Sequence, residues 1–125
     1  MIKQLVSNDV EDYIKNNPKA VLLDVRTEEE WGVDGKPDGE KIGLKTHFIS
    51  IQFSDTSFNE NFIEEVKKLN IQKDNEILTM CMGGVRSQAA AEILTKENYK
   101  CVNISDGFLG NPENVGWKNS DLPCK

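Results

Sequence analysis

Short apolar runs alternate along this chain with segments whose apolar residues recur at helical spacing. The runs at residues 20–25 and 77–80 are almost continuously nonpolar, which is typical of parallel strands that are covered on both faces. Shorter candidate strands lie at Leu5-Val6, Thr46 to Phe53 and residues 101–104. The pattern therefore predicts five strands.

Helical periodicity fills the intervals between these strands. The predicted helices are one through Val10, Tyr13 and Ile14 with Ser7 or Asn8 as its cap, a short acidic helix from Glu28 to Trp31 capped by Thr27, one from Phe58 to Leu69, and one from about Ser87 to Glu97. Regular alternation of strands and helices predicts an α/β fold. We expect a doubly wound, mostly parallel five-stranded sheet with helices on both faces. The length predicts a single domain over residues 1–125.

Cys81 lies between a predicted strand and a predicted helix. Ligands of such sheets bind beyond the carboxyl ends of the strands, which is where this cysteine is placed. The first backbone N–H groups of a helix lack internal partners, and the helix dipole adds positive charge there. Gly83 and Gly84 allow the loop to curl, and Arg86 adds a cation. These features favour a thiolate and an anion bound above it.

Four segments of the chain resemble one known family, in the expected order. Cys81-Met82-Gly83-Gly84-Val85-Arg86-Ser87, after its strand, resembles the active loop of rhodanese-like sulfurtransferases. The upstream segment Asp24-Val25-Arg26-Thr27-Glu28-Glu29-Glu30-Trp31 is similar to the family's Asp-Val-Arg signature, and residues 103–108 resemble the strand and turn after the active helix. Residues 116–118 and 122–123 resemble its C-terminal end. The chain is identified as a single-domain member by these matches.

The resemblance implies transfer of a sulfane sulfur through a cysteine persulfide. Cys81 is then the nucleophile and sulfur carrier, Arg86 orders the loop and holds an anionic donor, and Ser87 caps the helix. The substrate-binding loop comprises Met82, Gly83, Gly84, Val85, Arg86 and Ser87, whose backbone N–H groups surround the anion. This chemistry requires no organic cofactor and no metal.

Asp24, Arg26 and Glu30 are expected to have supporting, structural roles. The acidic helix start offers partners for the arginine, so we expect Arg26 to pair with an acidic side chain such as Glu30. Asp24 is expected to accept hydrogen bonds at the end of its strand.

Composition limits the partners and the compartment. A net charge of −6 argues against nucleic acid or an anionic membrane as the main partner. No apolar run has the length of a membrane span, and no signal peptide is recognised. The three cysteines form no close pair, which predicts a reducing, cytoplasmic location and argues against structural zinc. A monomer is the default expectation.

Two departures from the family pattern concern the substrate. Residues from Gly32 to Gly43 form a longer insertion than usual, and Met82 stands where many thiosulfate-using members have a basic side chain. The donor is expected to be a small sulfane compound, thiosulfate or a persulfide, and Met82 weakens the case for thiosulfate. The resemblance is compatible with a thiol acceptor such as thioredoxin or glutathione, with cyanide, and with a protein of tRNA modification or cluster assembly. The role of Cys124, near the end of the chain, stays open.

Two other functions remain open. Cysteine phosphatases and arsenate reductases also combine cysteine, arginine and serine at a helix start, but phosphatases have a longer loop that wraps a phosphate. Only Met82 to Val85 separate Cys81 from Arg86 here. A non-catalytic rhodanese-like binding module is the other alternative, and retention of Cys81 argues against it.

Overall fold

The structure, a computed structural model, describes residues 1–125 and contains one five-stranded sheet. The strands are β1 (Lys3–Leu5), β2 (Val21–Asp24), β3 (Lys45–Phe48), β4 (Glu76–Met80) and β5 (Lys100–Ile104). The helices are α1 (Val10–Lys15), α2 (Glu28–Asp34), α3 (Phe62–Lys68) and α4 (Val85–Lys96). The strand order is β1-β5-β4-β2-β3 and every pairing is parallel, so the α/β prediction is confirmed.

Alternating side chains of the strands enter two separate cores, one on each face of the sheet. Leu22 and Leu78 belong to the core that also contains Val10 of α1. Their chain neighbours Val21, Leu23 and Ile77 belong to the other core, which contains Phe62 and Val66 of α3 and Ala90 and Leu94 of α4. Because both faces are covered by helices, the central strands are apolar on both sides.

Several element boundaries differ from those predicted. β3 ends at Phe48, although Ile49 and Ile51 still donate backbone hydrogen bonds to β2 and the residue after it. α3 begins at Phe62 instead of Phe58, because the Asn59 side chain bonds the Ser50 carbonyl and the Asn61 N–H and so fixes a turn before the helix. α2 extends to Asp34, beyond Trp31.

The first helix is not capped by Ser7 or Asn8. Residues Ser7–Asp9 form a short 3₁₀ helix, and no side chain caps either it or α1. Ser7 Oγ instead donates to Asp106 Oδ1 at 2.9 Å, in the turn after β5. A long-range contact therefore uses the hydroxyl that local sequence assigned to a cap.

The C-terminal segment packs against the core that contains Val10 of α1. Trp117 is fully buried, and its Nε1 donates to the Pro123 carbonyl at 2.8 Å. Lys36 and Lys125 exchange two backbone hydrogen bonds of 2.8 Å, so the segment directly after α2 pairs with the last residues. None of the four α-helices combines the length and the hydrophobicity that a membrane span requires.

Candidate active site

Cys81 directly follows β4, whose neighbours in the sheet are β2 and β5. The segment after β5 holds the cysteine loop in place: Phe108 N–H donates to the Cys81 carbonyl at 2.8 Å, and Leu109 N–H donates to the Met82 carbonyl at 3.1 Å. Gly107 has a φ of +60°, and a Cβ there would overlap the Met82 carbonyl. A glycine is therefore required where the two loops approach.

The sulfur of Cys81 has two polar neighbours. Gly84 N–H donates to Sγ at 3.1 Å, and Ser87 Oγ lies 3.3 Å from Sγ. Gly84 adopts a φ of +103°, and a side chain there would overlap the Ser105 carbonyl. The residue Cys81 is only 1% exposed, so the thiol lies at the base of the loop and not on its surface.

Most backbone amides of the loop are unused within the protein. The N–H groups of Met82, Gly83, Val85, Arg86 and Ser87 have no hydrogen-bond acceptor, because α4 begins at Val85 and supplies none. One amide of the predicted ring therefore contacts the sulfur, and the other five have no acceptor within the protein.

Ser87 does not cap α4, contrary to expectation. The N-cap is Gly84, and Ser87 is the third helical residue. Its hydroxyl donates to Asn103 Oδ1 of β5 at 2.6 Å. In the sequence, Asn103 is recognised only as part of a segment that resembles the family. A polar amide inside an otherwise apolar predicted strand is the feature that could have identified it as a buried hydrogen-bonding residue.

Arg86 is engaged by Glu30 and is not a free cation. Its Nη1 and Nη2 bond the two Glu30 carboxylate oxygens at 2.7 and 2.8 Å. Glu30 also completes a capping box with Thr27 at the start of α2. Burial acts to raise the pKa of Glu30, but hydrogen bonds from Arg86 and from the Thr27 backbone lower it to about 2. The hydrogen bonds that Arg86 donates to Glu30 raise the pKa of Arg86.

Arg26 pairs with an acidic side chain, as expected, but that side chain is Asp24 and not Glu30. Arg26 Nη2 lies 2.8 Å from Asp24 Oδ2, and Nε lies 3.1 Å from both carboxylate oxygens, with both side chains fully buried. The guanidinium lies over the Phe108 ring, 4.1 Å from its centroid. The planar fork of arginine matches a carboxylate two residues earlier, while Glu30 is already occupied by Arg86.

The other cysteines differ from Cys81 in their surroundings. Burial raises the pKa of Cys101, on β5, to about 11, and burial also raises the pKa of Cys124. Both thiols are free, as is Cys81. No cluster of three or more histidine, cysteine, aspartate or glutamate side chains is arranged to hold a metal ion.

A cleft of about 370 Å³ lies at the carboxyl ends of β2 and β3, next to the cysteine loop in the order of the sheet. The start of α2 forms one wall, and Trp31 and Phe48 meet edge to face across 5.4 Å. Cys81 does not line this cleft, so the Cys81 sulfur and the cleft are separate features of the same edge of the sheet.

The sequence of the chain is similar to those of several known proteins. The chain is 36% identical over 124 residues to a Rickettsia prowazekii protein described as "Uncharacterized protein RP600", covering 98% of this chain and 97% of that protein. It is 23% identical over 124 residues to a protein named "Sulfurtransferase" from Allochromatium vinosum, covering 98% of this chain and 94% of the relative.

Solved structures share the fold. The "Crystal structure of Rv0390 from M. tuberculosis" matches with a TM-score of 0.84 at 31% identity, covering 98% of this chain and 96% of that one. A Rhodopseudomonas palustris structure titled as a protein of unknown function and possible tyrosine phosphatase matches with a TM-score of 0.63 at 20% identity, covering 99% and 85%, and shows likeness of fold alone.

A family model described as "Rhodanese-like domain" matches residues 7–110. That range contains every strand of the sheet except β1, all four helices and the cysteine loop with its partners Glu30 and Asn103. The chain therefore belongs to the rhodanese-like domain family.

Proposed function

We propose that this protein is a sulfurtransferase that carries a sulfane sulfur as a persulfide on Cys81. The observation that carries the proposal is the loop geometry: Gly84 N–H donates to Sγ while five further amides have no partner in the protein. Such donors stabilise a compact anion without a metal or a cofactor. A persulfide needs this environment because its outer sulfur is anionic at neutral pH.

The proposed reaction has two displacements. The Cys81 thiolate attacks the sulfane sulfur of a donor, a new S–S bond forms, and the donor's S–S bond breaks to release its leaving group as an anion. An acceptor thiolate then attacks the outer sulfur of the persulfide. The bond to Cys81 breaks, and the enzyme regains its thiolate.

The charges around the loop favour a singly charged donor. Glu30 compensates the Arg86 guanidinium with two hydrogen bonds, so thiosulfate, a dianion, meets no unpaired cation there. Met82 adds no charge. We therefore propose a thiol persulfide as donor in preference to thiosulfate, with a low-molecular-weight thiol or a thioredoxin-like protein as acceptor. The unpaired cysteines support a reducing, cytoplasmic location for the protein. We propose a monomer as the simplest oligomeric state.

Burial of Cys81 adds a requirement. A donor cannot reach a thiol whose residue is 1% exposed unless the loop opens. We propose that the segment Met82 to Gly84 moves, since its two glycines permit backbone changes that other residues resist.

Mass spectrometry of the protein after incubation with thiosulfate or glutathione persulfide tests the proposal. We expect a gain in mass of one sulfur atom that maps to Cys81. The fraction of protein that carries this sulfur should be larger with glutathione persulfide than with thiosulfate. Cys81→Ser should lose the adduct, whereas Cys101→Ser and Cys124→Ser, the matched controls, should keep it.

A parallel assay of p-nitrophenyl phosphate hydrolysis separates the phosphatase alternative. Cys81-dependent phosphatase turnover without sulfur transfer would overturn the assignment. Folded protein that gains no sulfur from either donor and hydrolyses no phosphate ester would favour a binding module instead.

A further inference from the structure

The side-chain amide of Asn103 has one possible orientation. Asn103 is buried on β5, and its Nδ2 donates to the Gly84 carbonyl at 3.1 Å and to Gln4 Oε1 at 2.9 Å. A backbone carbonyl can only accept a hydrogen bond, so the nitrogen must face Gly84. Gln4 is oriented in the same way, because its Nε2 donates to the Ile2 carbonyl. The Asn103 Oδ1 therefore faces Ser87.

This orientation determines the position of the Ser87 hydroxyl proton. Ser87 Oγ lies 2.6 Å from Asn103 Oδ1, and the amide oxygen carries no proton. The single hydroxyl proton of Ser87 must lie between the two oxygens, since they would otherwise repel each other at this distance. Ser87 Oγ then presents a lone pair to Cys81 Sγ, 3.3 Å away.

A lone pair facing the sulfur favours one protonation state of Cys81. A thiol can donate its proton to Ser87 Oγ, whereas a thiolate faces the lone pair without a proton between them. Stabilising the thiolate would require the hydroxyl to turn toward Sγ and leave Asn103 Oδ1 without its donor. Gly84 N–H acts in the opposite direction, because it donates to Sγ in either state.

We propose that Asn103 is a positioning residue that holds the Ser87 proton and thereby favours the protonated form of Cys81 over its thiolate. The inference rests on the proposed role of Cys81 as sulfur carrier. In the persulfide the negative charge lies on the outer sulfur, so the Ser87 lone pair then faces an uncharged Sγ. The Ser87–Asn103 pair disfavours the bare thiolate between turnovers and tolerates the loaded state.

The charged groups around Cys81 occur in compensated pairs or have their own partners. They are Arg86 of α4 with Glu30 of α2, Asp24 with Arg26 at the end of β2, and Asp106 after β5, which bonds Ser7 and Gly116. None of them contacts the Ser87–Asn103 hydrogen bond. A substitution of Asn103 therefore changes the hydroxyl's orientation while leaving these charges in place.

Ultraviolet absorbance of the thiolate, recorded against pH in the purified full chain, tests the proposal. Subtraction of the Cys81→Ser signal removes Cys101 and Cys124. Asn103→Leu, which keeps the branched shape of the side chain but lacks the amide, should lower the pH midpoint of Cys81 ionisation by about one unit, because the freed hydroxyl donates to the thiolate. Asn103→Ala should shift the midpoint in the same direction.

A double-mutant cycle shows whether Asn103 acts through Ser87. In the Ser87→Ala background, Asn103→Leu should produce no further shift. An unchanged or raised midpoint in both Asn103 variants would overturn the proposal. So would a shift by Asn103→Leu in the Ser87→Ala background that equals its shift in the wild-type background. Asn59→Ala, which removes another buried asparagine that bonds a backbone carbonyl, controls for destabilisation and should leave the midpoint unchanged.

The titration requires no sulfur donor, so its outcome is independent of the proposed activity. A lowered midpoint in Asn103→Leu supports the proton arrangement even if no donor loads the wild-type protein. Failure to form a persulfide on the wild-type protein would instead count against sulfur transfer alone.

Discussion

At the scale of single residues, two glycines determine how closely backbone segments approach the Cys81 loop. Gly84 and Gly107 both have positive φ, and each lies where a side chain would overlap a carbonyl of a neighbouring segment. Only a residue without Cβ allows the Gly84 amide to face Sγ at 3.1 Å. The backbone of Gly84 therefore serves both the hydrogen bond to Sγ and the close packing of the loop against Ser105.

Gly84→Ala should both destabilise the protein and impair persulfide formation. The added methyl overlaps the Ser105 carbonyl, and the residue occupies a φ that alanine resists, so we expect a loss of about 2 kcal/mol in the free energy of unfolding. Urea denaturation measures the loss, and mass spectrometry of the loaded protein measures the adduct. Gly32→Ala is the matched control, since no atom lies within 4 Å of its added Cβ. Equal stability of the two variants would contradict this account.

At the scale of elements, one ion pair joins α2 to the cysteine loop. Glu30 accepts from Thr27 within its own helix start and from Arg86 at the start of α4. The pair bridges elements whose strands, β2 and β4, are adjacent in the sheet. This ion pair holds the cysteine loop against α2. It therefore fixes the position of the loop in addition to neutralising the charge of Arg86.

Acid should weaken this connection in a defined range of pH. The pKa of Glu30 falls from 4.5 to about 2 on folding, so its stabilising contribution is complete above pH 4.5 and is lost as the pH falls through 2. Thermal unfolding from pH 6 to about 2 should show a smaller acid-induced decrease in melting temperature for Glu30→Gln than for the wild-type protein. Glu28→Gln, which removes a neighbouring carboxylate without an ion pair, should follow the wild type. Parallel curves for wild type and Glu30→Gln would exclude the effect.

The difference between what sequence predicts and what it misses also lies at this scale. Apolar runs such as residues 77–80 predict a buried strand correctly because the tendency of a side chain to be buried depends mainly on its type. The two cores on either side of the sheet take up the apolar side chains of this run. Pairing of Arg26 depends on distances that the linear order does not contain, since Asp24 and Glu30 are both nearby in the chain. Ser7 and Ser87 each resemble caps locally, yet partners far away, Asp106 and Asn103, take their hydroxyls.

At the scale of the whole molecule, one buried carboxylate joins three distant parts of the chain. Asp106 Oδ1 accepts from the backbone N–H and the hydroxyl of Ser7, and Oδ2 accepts from Gly116 N–H at 3.0 Å. The N-terminal segment, the turn that supports the cysteine loop and the C-terminal tail therefore share a single acceptor. The family model ends at residue 110, before the tail that completes this junction.

Replacement of this carboxylate should destabilise the whole fold. Asp106→Asn substitutes an NH₂ donor for one acceptor oxygen, so at least one buried N–H loses its partner, and we expect a loss of about 3 kcal/mol in the free energy of unfolding. Urea denaturation followed by tryptophan fluorescence suits the measurement, because Trp117 is buried in the tail that Asp106 holds. Asp121→Asn is the control: this aspartate is exposed and has a φ of +59°, which asparagine accepts, so its stability should stay within about 0.5 kcal/mol of the wild type. If Asp106→Asn were as stable as that control, the junction would not hold the three segments together, and the tail would be a passive cover of the core.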